Sequence, residues 1–245
     1  MLTFVLMKYL DLTLSTANEN LALDEALLDL CAEASGKEIL RVWEPREYFV
    51  VLGYSSRIRS EVNLSSCRAA RIPVLRRCSG GGTVLQGPGC LNYSVTLRIG
   101  DSGPFQSIAE TNRFIMEKVQ AALQPLTGGG VEVQGSSDLA LGGAKFCGNA
   151  QRRKKGSLLF HGVFLFHMDL DVIEKHLPVP LRQPHYRQNR RHKDFLVNLN
   201  LPAAAIKQAL RRQWNADEEM SAIRHGDVER LVKNQYATPE WIAKF

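Results

Sequence analysis

Between residues 76 and 95 the chain reads RRCSGGGTVLQGPGCLNYSV, five glycines, a proline and two arginines within twenty positions. No helix tolerates that density of glycine, so the segment must be irregular backbone feeding an extended stretch. Gly80, Gly81 and Gly82 allow positive φ and close approach of main chain to a ligand. Successive N–H groups in such a loop can form an anion-binding concavity. Arg76 and Arg77 stand at its entrance, and guanidinium matches phosphate or carboxylate. No Gly-Lys-Ser/Thr follows, so this is not a Walker loop; no helix follows, so it is not a dinucleotide fingerprint. A glycine-rich bend and a ligand-holding loop both stay open from this segment alone.

The length of 245 residues suits one large domain, here taken as 1–245. No apolar run reaches the roughly 18 residues of a membrane helix, so no membrane partner is expected. The opening MLTFVLMKYLDL lacks a basic leader and is broken by Lys8 and Asp11, so it reads as a first strand. The five cysteines form no CxxC pair, which argues against zinc and for free thiols in a reducing cytoplasm. The net charge of +6 suits an acidic partner. Arginine and lysine concentrate at 152–155 and 182–193; as charge runs these read as solvated turns. No aromatic stacking ribbon or recognition-helix pattern supports a nucleic-acid partner.

Periodicity predicts a helix over 18–34, capped by Ser15 or Thr16 and ended by Gly36. Strands are expected at 39–43 and 49–52, joined by Glu44-Pro45-Arg46. A short helix at 64–71 precedes Pro73 and a strand at 74–77. Leu91, Tyr93, Val95 and Leu97 alternate as a half-buried strand does. A helix over 108–123 is closed by Pro125 and Gly128-Gly129-Gly130. Extended pieces follow at 131–133, 138–141, 144–147 and, long and central, 157–166. A short helix spans 169–176, a proline-containing basic loop 178–193, a helix from Pro202 to Trp214, and a last helix 228–234. The expected class is α/β (α+β): a central, mostly antiparallel or mixed sheet flanked by helices, not a doubly wound one.

Two further segments carry chemistry. In Lys145-Phe146-Cys147-Gly148-Asn149-Ala150-Gln151 an inward-facing lysine would stabilise an anionic transition state. A lysine at a sheet edge pointing to water is the plainer reading. In an extended strand Cys147 shares a face with Lys145, and a thiol beside an ammonium is a lowered-pKa nucleophile; the alternative is a small space-filling residue. His161-Gly162 lies inside an apolar strand, where a histidine is more often structural than catalytic.

The order Arg-Arg-x-Ser-Gly-Gly-Gly, Ser-Asp-Leu, Lys-x-x-Gly-x-Ala-Gln, His-Gly resembles the lipoate–protein ligase and octanoyltransferase family, from about residue 8 to the end. Residues 20–28, NLALDEALL, resemble that family's first helix, and Trp241 a closing family feature. The resemblance implies a class II synthetase or biotin-ligase-like catalytic domain that condenses lipoate (or octanoate) with ATP to acyl-AMP. The acyl group then passes to a lysine of an acidic lipoyl acceptor domain, either the E2 component of a 2-oxoacid dehydrogenase or the glycine-cleavage H protein. By position, it implies that Arg77, Gly82, Thr83, Val84 and Leu85 contact the nucleotide. Ser79, Gly80, Gly81 and His161 border the acyl chain, with Trp43 and Val51 as further lining candidates, and Lys145 touches both acyl carbonyl and α-phosphate. Asp138 is a candidate Mg²⁺ ligand or, equally, a turn aspartate after Ser136-Ser137.

The related octanoyltransferases use a cysteine thioester and no ATP. This chain has no cysteine in 156–161 or 135–137, where their nucleophiles lie, and has Gln86 where many relatives carry histidine. That favours the ligase, with Cys147 as the alternative nucleophile. A non-catalytic acceptor-domain binder and a biotin ligase are the other readings; the intact Lys145 and glycine loop disfavour the first. A C-terminal accessory domain is expected to be absent, which leaves three alternatives: the protein forms the adenylate unaided, a separate accessory subunit completes it, or the protein only transfers.

Overall fold

The computed structural model of the protein describes residues 7–33, 36–154 and 156–245. Its strands are β1 (Lys8–Asp11), β2 (Ile39–Trp43), β3 (Phe49–Leu52), β4 (Val74–Arg76), β5 (Val84–Gln86) and β6 (Cys90–Arg98). They continue as β7 (Val131–Gln134), β8 (Asp138–Leu141), β9 (Ala144–Lys154), β10 (Ser157–Leu165) and β11 (Glu218–Glu219). Eight form one sheet in the order β11-β1-β2-β6-β10-β9-β8-β7, and the other three a small sheet, β4-β3-β5. In the large sheet β1 pairs parallel with β11 and β2. Its remaining pairs are antiparallel. The expected mixed, mostly antiparallel sheet with flanking helices is therefore what forms.

The helix Ala17–Ala32 starts where its sequence dictates. Thr16 accepts from the Glu19 N–H while the Glu19 carboxylate accepts from the Thr16 N–H, a reciprocal capping box. The helix packs on one face of β6 and β10. That corrects the half-buried reading of β6. Leu91, Tyr93, Val95 and Leu97 face the main core with Ile115, Val119, Phe160, Ile206 and Leu210, which brings in the helices Ile108–Thr127 and Ala203–Gln213. Asn92, Ser94 and Thr96 are buried as well. The alternation thus separates two covered faces, one apolar and one polar, rather than a wet face from a dry one.

The polar face is held by charge. Arg41 of β2 is fully buried and donates to Asp24 Oδ1 (2.7 Å) and to the side chain and carbonyl of Asn20 (2.7 and 2.8 Å). The Ser94 hydroxyl donates to the same Asp24 oxygen at 3.0 Å. Burial alone would raise the Asp24 pKa; Arg41 and His161 outweigh it and hold the carboxyl below its usual range.

Other boundaries shift for local reasons. Glu44-Pro45-Arg46 does not close a hairpin, because β2 lies in the large sheet and β3 in the small one. The long helix runs past Pro125 and stops at Gly128, whose φ of 70° is the left-handed cap. The strand expected at 144–147 extends to Lys154, paired along β10. The first helix ends at Ala32, short of Gly36, and Ala34 lies outside the described residues, as do residues 1–6 and Lys155. No helix among the described residues is long and apolar enough to cross a membrane.

Removing one partner of a buried ion pair leaves the other uncompensated, at a cost of about 3–5 kcal/mol. Asp24→Ala is expected to lower stability by that order in urea unfolding, and adding Arg41→Met to recover part of the loss.

Candidate active site

The glycine segment is an arch braced from beneath. Arg77 Nη2 donates to the carbonyls of Gly80 (2.6 Å) and Gly82 (2.9 Å), and its Nε to Ser79 Oγ at 3.0 Å. Gly81 takes φ of 85°, and a Cβ on Gly53 would lie 2.0 Å from the Gly81 carbonyl oxygen, so glycine is required on both sides of this contact. Arg76 points elsewhere. Its guanidinium donates to the carbonyls of Gly53, Tyr54 and Ser56 and to those of Trp241 and Ile242. Trp241 returns its indole N–H to the Arg76 carbonyl at 2.9 Å. Burial pushes the Arg77 pKa down to about 10.

Ser79 also meets His161, Oγ to Nε2 at 2.5 Å, and His161 Nδ1 lies 3.5 Å from Asp24 Oδ2. The Asp24 carboxylate can only accept, so in the neutral imidazole the proton sits on Nδ1, toward Asp24, and Nε2 accepts from the Ser79 hydroxyl. The chain Arg41–Asp24–His161–Ser79 thus ties the helix Ala17–Ala32 to the arch. Gly162 is required here too, because a Cβ there would lie 1.8 Å from Asn149 Oδ1. That Asn149 oxygen accepts from the Tyr93 hydroxyl at 2.6 Å.

Lys145 stands at a bulge. Leu139 pairs with Cys147 and Ala140 with Lys145, so Phe146 is the extra residue of β9. Phe146 and Cys147 consequently both enter the core, and the strict alternation that would set Cys147 beside Lys145 is broken. Lys145 Nζ instead pairs with Asp138 Oδ1 at 2.7 Å, and Asp138 Oδ2 accepts from the Tyr186 hydroxyl at 2.9 Å. A Cβ on Gly148 would come within 2.7 Å of the Lys145 ammonium, which is the physical reason for glycine in Lys-x-x-Gly. Lys145, Gly148, Thr83, Val84, Leu85, Glu61, Arg187 and His192 line one open cleft.

The structure therefore groups the candidate residues in two neighbouring sets. Lys145, Thr83, Val84 and Leu85 share the cleft. Arg77, Ser79, Gly80, Gly81, Gly82 and His161 form the arch, which lies so near β9 that a Cβ added at Gly81 would stand 3.5 Å from the Ala150 side chain. Trp43 and Val51 join neither. Trp43 lines a separate hollow with Phe49 and Tyr48, and Val51 is buried in the core. Arg77, read as a nucleotide contact, is spent on the arch's own carbonyls. Cys147 lines the same cleft but is buried, and burial pushes its thiol up although Lys145 pulls it down, so it is not the lowered-pKa thiol that spacing alone suggested.

Asp138 offers a metal little. Both oxygens are engaged, and the described residues contain no group of three or more His, Cys, Asp or Glu placed to hold an ion. These residues do not fit a protein-held Mg²⁺.

The basic runs are not simply solvated turns. Arg153 donates to Thr111 and Lys154 pairs with Glu25 and Asp29. Arg187 is buried, and Arg191 and Lys193 pair with Glu174 and Asp171, while Arg182 stays exposed. The loop 178–193 closes over the end of the β8–β9 hairpin through Tyr186 and through Arg190, which donates to the Gly143 carbonyl. Its contribution to the cleft was hidden in the sequence by the very basic composition that suggests solvent; the interleaved Tyr186 and Phe195 were the available signal.

A family model described as the lipoyl protein ligase A/B catalytic domain matches residues 16–225. The chain belongs to that family. The octanoyltransferase LipM of Anoxybacillus flavithermus is 25% identical over 257 residues, covering 91% of this chain and 92% of that one. Among solved structures, a bipartite lipoate protein ligase studied with its E2 lipoyl domain, from Thermoplasma acidophilum, aligns with a TM-score of 0.82 and 25% identity over 98% of both chains. A crystal structure of lipoate-protein ligase A bound with ATP aligns with a TM-score of 0.80 and 25% identity over 97% of both.

Gly148→Ala is expected to drive the Lys145 ammonium from its seat beside Asp138, lowering acyl-transfer activity at least tenfold while shifting the melting temperature by only a few degrees, read by activity assay and calorimetry together. A second expectation concerns pH. Burial, then the charge of Arg187, pushes the His192 pKa down to about 4. The unfolded chain takes the same proton near 6.5, so between those values the unfolded state binds more protons and stability falls as pH falls. Urea unfolding in steps from pH 7 to 4 should show a loss of on the order of 1 kcal/mol per pH unit that His192→Gln flattens.

Proposed function

We propose that the protein activates lipoate or octanoate with ATP and transfers the acyl group to a lysine of a lipoyl acceptor domain. The observation that carries this reading is the Lys145 ammonium, seated by Asp138 in a cleft whose wall includes Thr83, Val84 and Leu85. In the first step a carboxylate oxygen attacks the α-phosphorus, the bond to the bridging oxygen breaks, and pyrophosphate leaves. Two anions meet in that step, and a fixed ammonium between them lowers the repulsion and stabilises charge on the transferring oxygens. In the second, the acceptor amine attacks the acyl carbon and AMP leaves, with Lys145 polarising the carbonyl. Asp138 acts by orienting Lys145. The arch, held rigid by Arg77 and His161, borders the acyl chain with Ser79, Gly80 and Gly81 and leads directly into the nucleotide-binding stretch Gly82 to Leu85. Mg²⁺ would arrive on the triphosphate's own oxygens.

The likeness to an ATP-bound ligase supports the nucleotide, and the bipartite Thermoplasma ligase supports a separate accessory subunit and an E2-type acceptor. We take residues 1–245 as one catalytic domain acting in the cytoplasm, with the glycine-cleavage H protein as the other acceptor class. The likeness to LipM favours a second reading, ATP-independent octanoyl transfer through a cysteine. All five cysteines are buried, which weighs against it.

The deciding assay incubates the protein and an acceptor domain either with lipoate and Mg-ATP or with octanoyl carrier protein alone. Pyrophosphate release and acceptor mass gain are expected in the first mixture, to be lost in Lys145→Ala and kept in Cys147→Ser. Acylation confined to the second mixture would reverse the ranking.

A further inference from the structure

Arg187 is the cleft's unexplained cation. It is the last residue of the turn His185–Arg187, is 5% exposed, and lines the same cleft as Lys145. Its Nε donates to the Arg190 carbonyl at 3.1 Å, and its guanidinium carbon lies 4.7 Å from the centre of the Phe195 ring. Its Nη2 is buried without a hydrogen-bond partner. Among the described residues no carboxylate lies within ion-pair distance of it. The cleft's acidic groups are occupied elsewhere: Asp138 holds Lys145 and Tyr186, and Glu61 accepts from the Thr83 hydroxyl at 2.6 Å and the Arg57 N–H at 3.1 Å. The histidine beside it, His192, carries no charge at neutral pH, because burial and Arg187 itself keep it unprotonated.

A buried guanidinium with an unmatched N–H group is costly unless something else supplies the acceptor. The neighbouring buried arginines of the arch meet that need within the chain, Arg76 and Arg77 through main-chain carbonyls, and Arg41, whose Nε is also unpartnered, is neutralised by Asp24 at 2.7 Å. Arg187 is held in place by Phe195 and the Arg190 carbonyl while its Nη2 is left without an acceptor, the state of a side chain preorganised for an anion. A planar fork of donors favours phosphate, which it binds with two parallel hydrogen bonds.

We propose that Arg187 is a phosphate-binding residue, its guanidinium taking a phosphate oxygen of the nucleotide whose α-phosphate Lys145 faces. This rests on the ATP-dependent reading above and adds to it a second, rigid cation supplied by the loop 178–193. It also gives that loop a role inside the site, beyond any docking of an acidic partner.

The test compares wild type with Arg187→Met and Arg187→Lys, titrating ATP, AMP and adenosine by calorimetry and following melting temperature with and without nucleotide. Methionine fills the apolar space against Phe195 without the unmatched donor. Arg187→Met is therefore expected to melt no lower than wild type when free. It should bind ATP or AMP roughly 10- to 100-fold more weakly and leave adenosine binding unchanged. Arg187→Lys should recover only part of the phosphate affinity. Nucleotide affinity unchanged in Arg187→Met overturns the assignment and leaves the ligase reading intact. A free variant that melts markedly lower, with adenosine weakened as much as ATP, also overturns it and makes Arg187 a structural brace. Failure of the wild type to bind any adenine nucleotide removes the ligase reading and this inference together.

Discussion

Two neighbouring guanidiniums, those of Arg76 and Arg77, hold this protein's working end together, and they do so through main-chain carbonyls rather than carboxylates. Side chains of successive residues in an extended chain point to opposite sides. Arg76 accordingly gathers the loop after β3 and the segment around Trp241, while Arg77 gathers the arch. A buried guanidinium needs acceptors, and loop carbonyls need donors once water is excluded. Each therefore solves the other's problem, and an otherwise floppy run of glycines acquires one shape.

The remaining site geometry is set against that fixed arch. From one side, the buried pair Arg41–Asp24 orients His161, which holds Ser79. From the other, a bulge in β9 and the missing side chain at Gly148 seat the Lys145 ammonium beside Asp138. The shape of the arch and the seat of the Lys145 ammonium thus depend on features outside both: a helix carrying Asp24, an inserted residue in a strand, and glycines chosen for what they lack.

Much of this was legible in the sequence where a residue type had a local meaning. Thr16 and Glu19 announce a helix start, the alternation in 91–97 announces a strand, and the glycines of the arch announce close backbone contact. The cleft residues Lys145, Thr83, Val84 and Leu85 were found by motif order. What escaped depends on long-range pairing. The bulge at Phe146 is a property of β8 and β9 together, so spacing alone did not show that Phe146 and Cys147 both enter the core. The donors of Arg77 point to carbonyls that only folding brings near. Burial of Asn92, Ser94 and Thr96 requires a helix on the far face that no pattern within β6 reveals. The loop 178–193 looked solvated because its charges dominate its composition, yet Phe195 draws Arg187 and Arg190 inward.

The Lys145 carbonyl accepts the Val197 N–H at 2.9 Å, and Leu196 forms a parallel bridge with Lys145. The strand that carries the ammonium and the chain that returns from the basic loop are therefore stitched at a single residue. Neither jaw of the cleft can be reshaped without pulling on the other, so variation in the loop's length or sequence will register at the Lys145 ammonium even where the loop lies far from it.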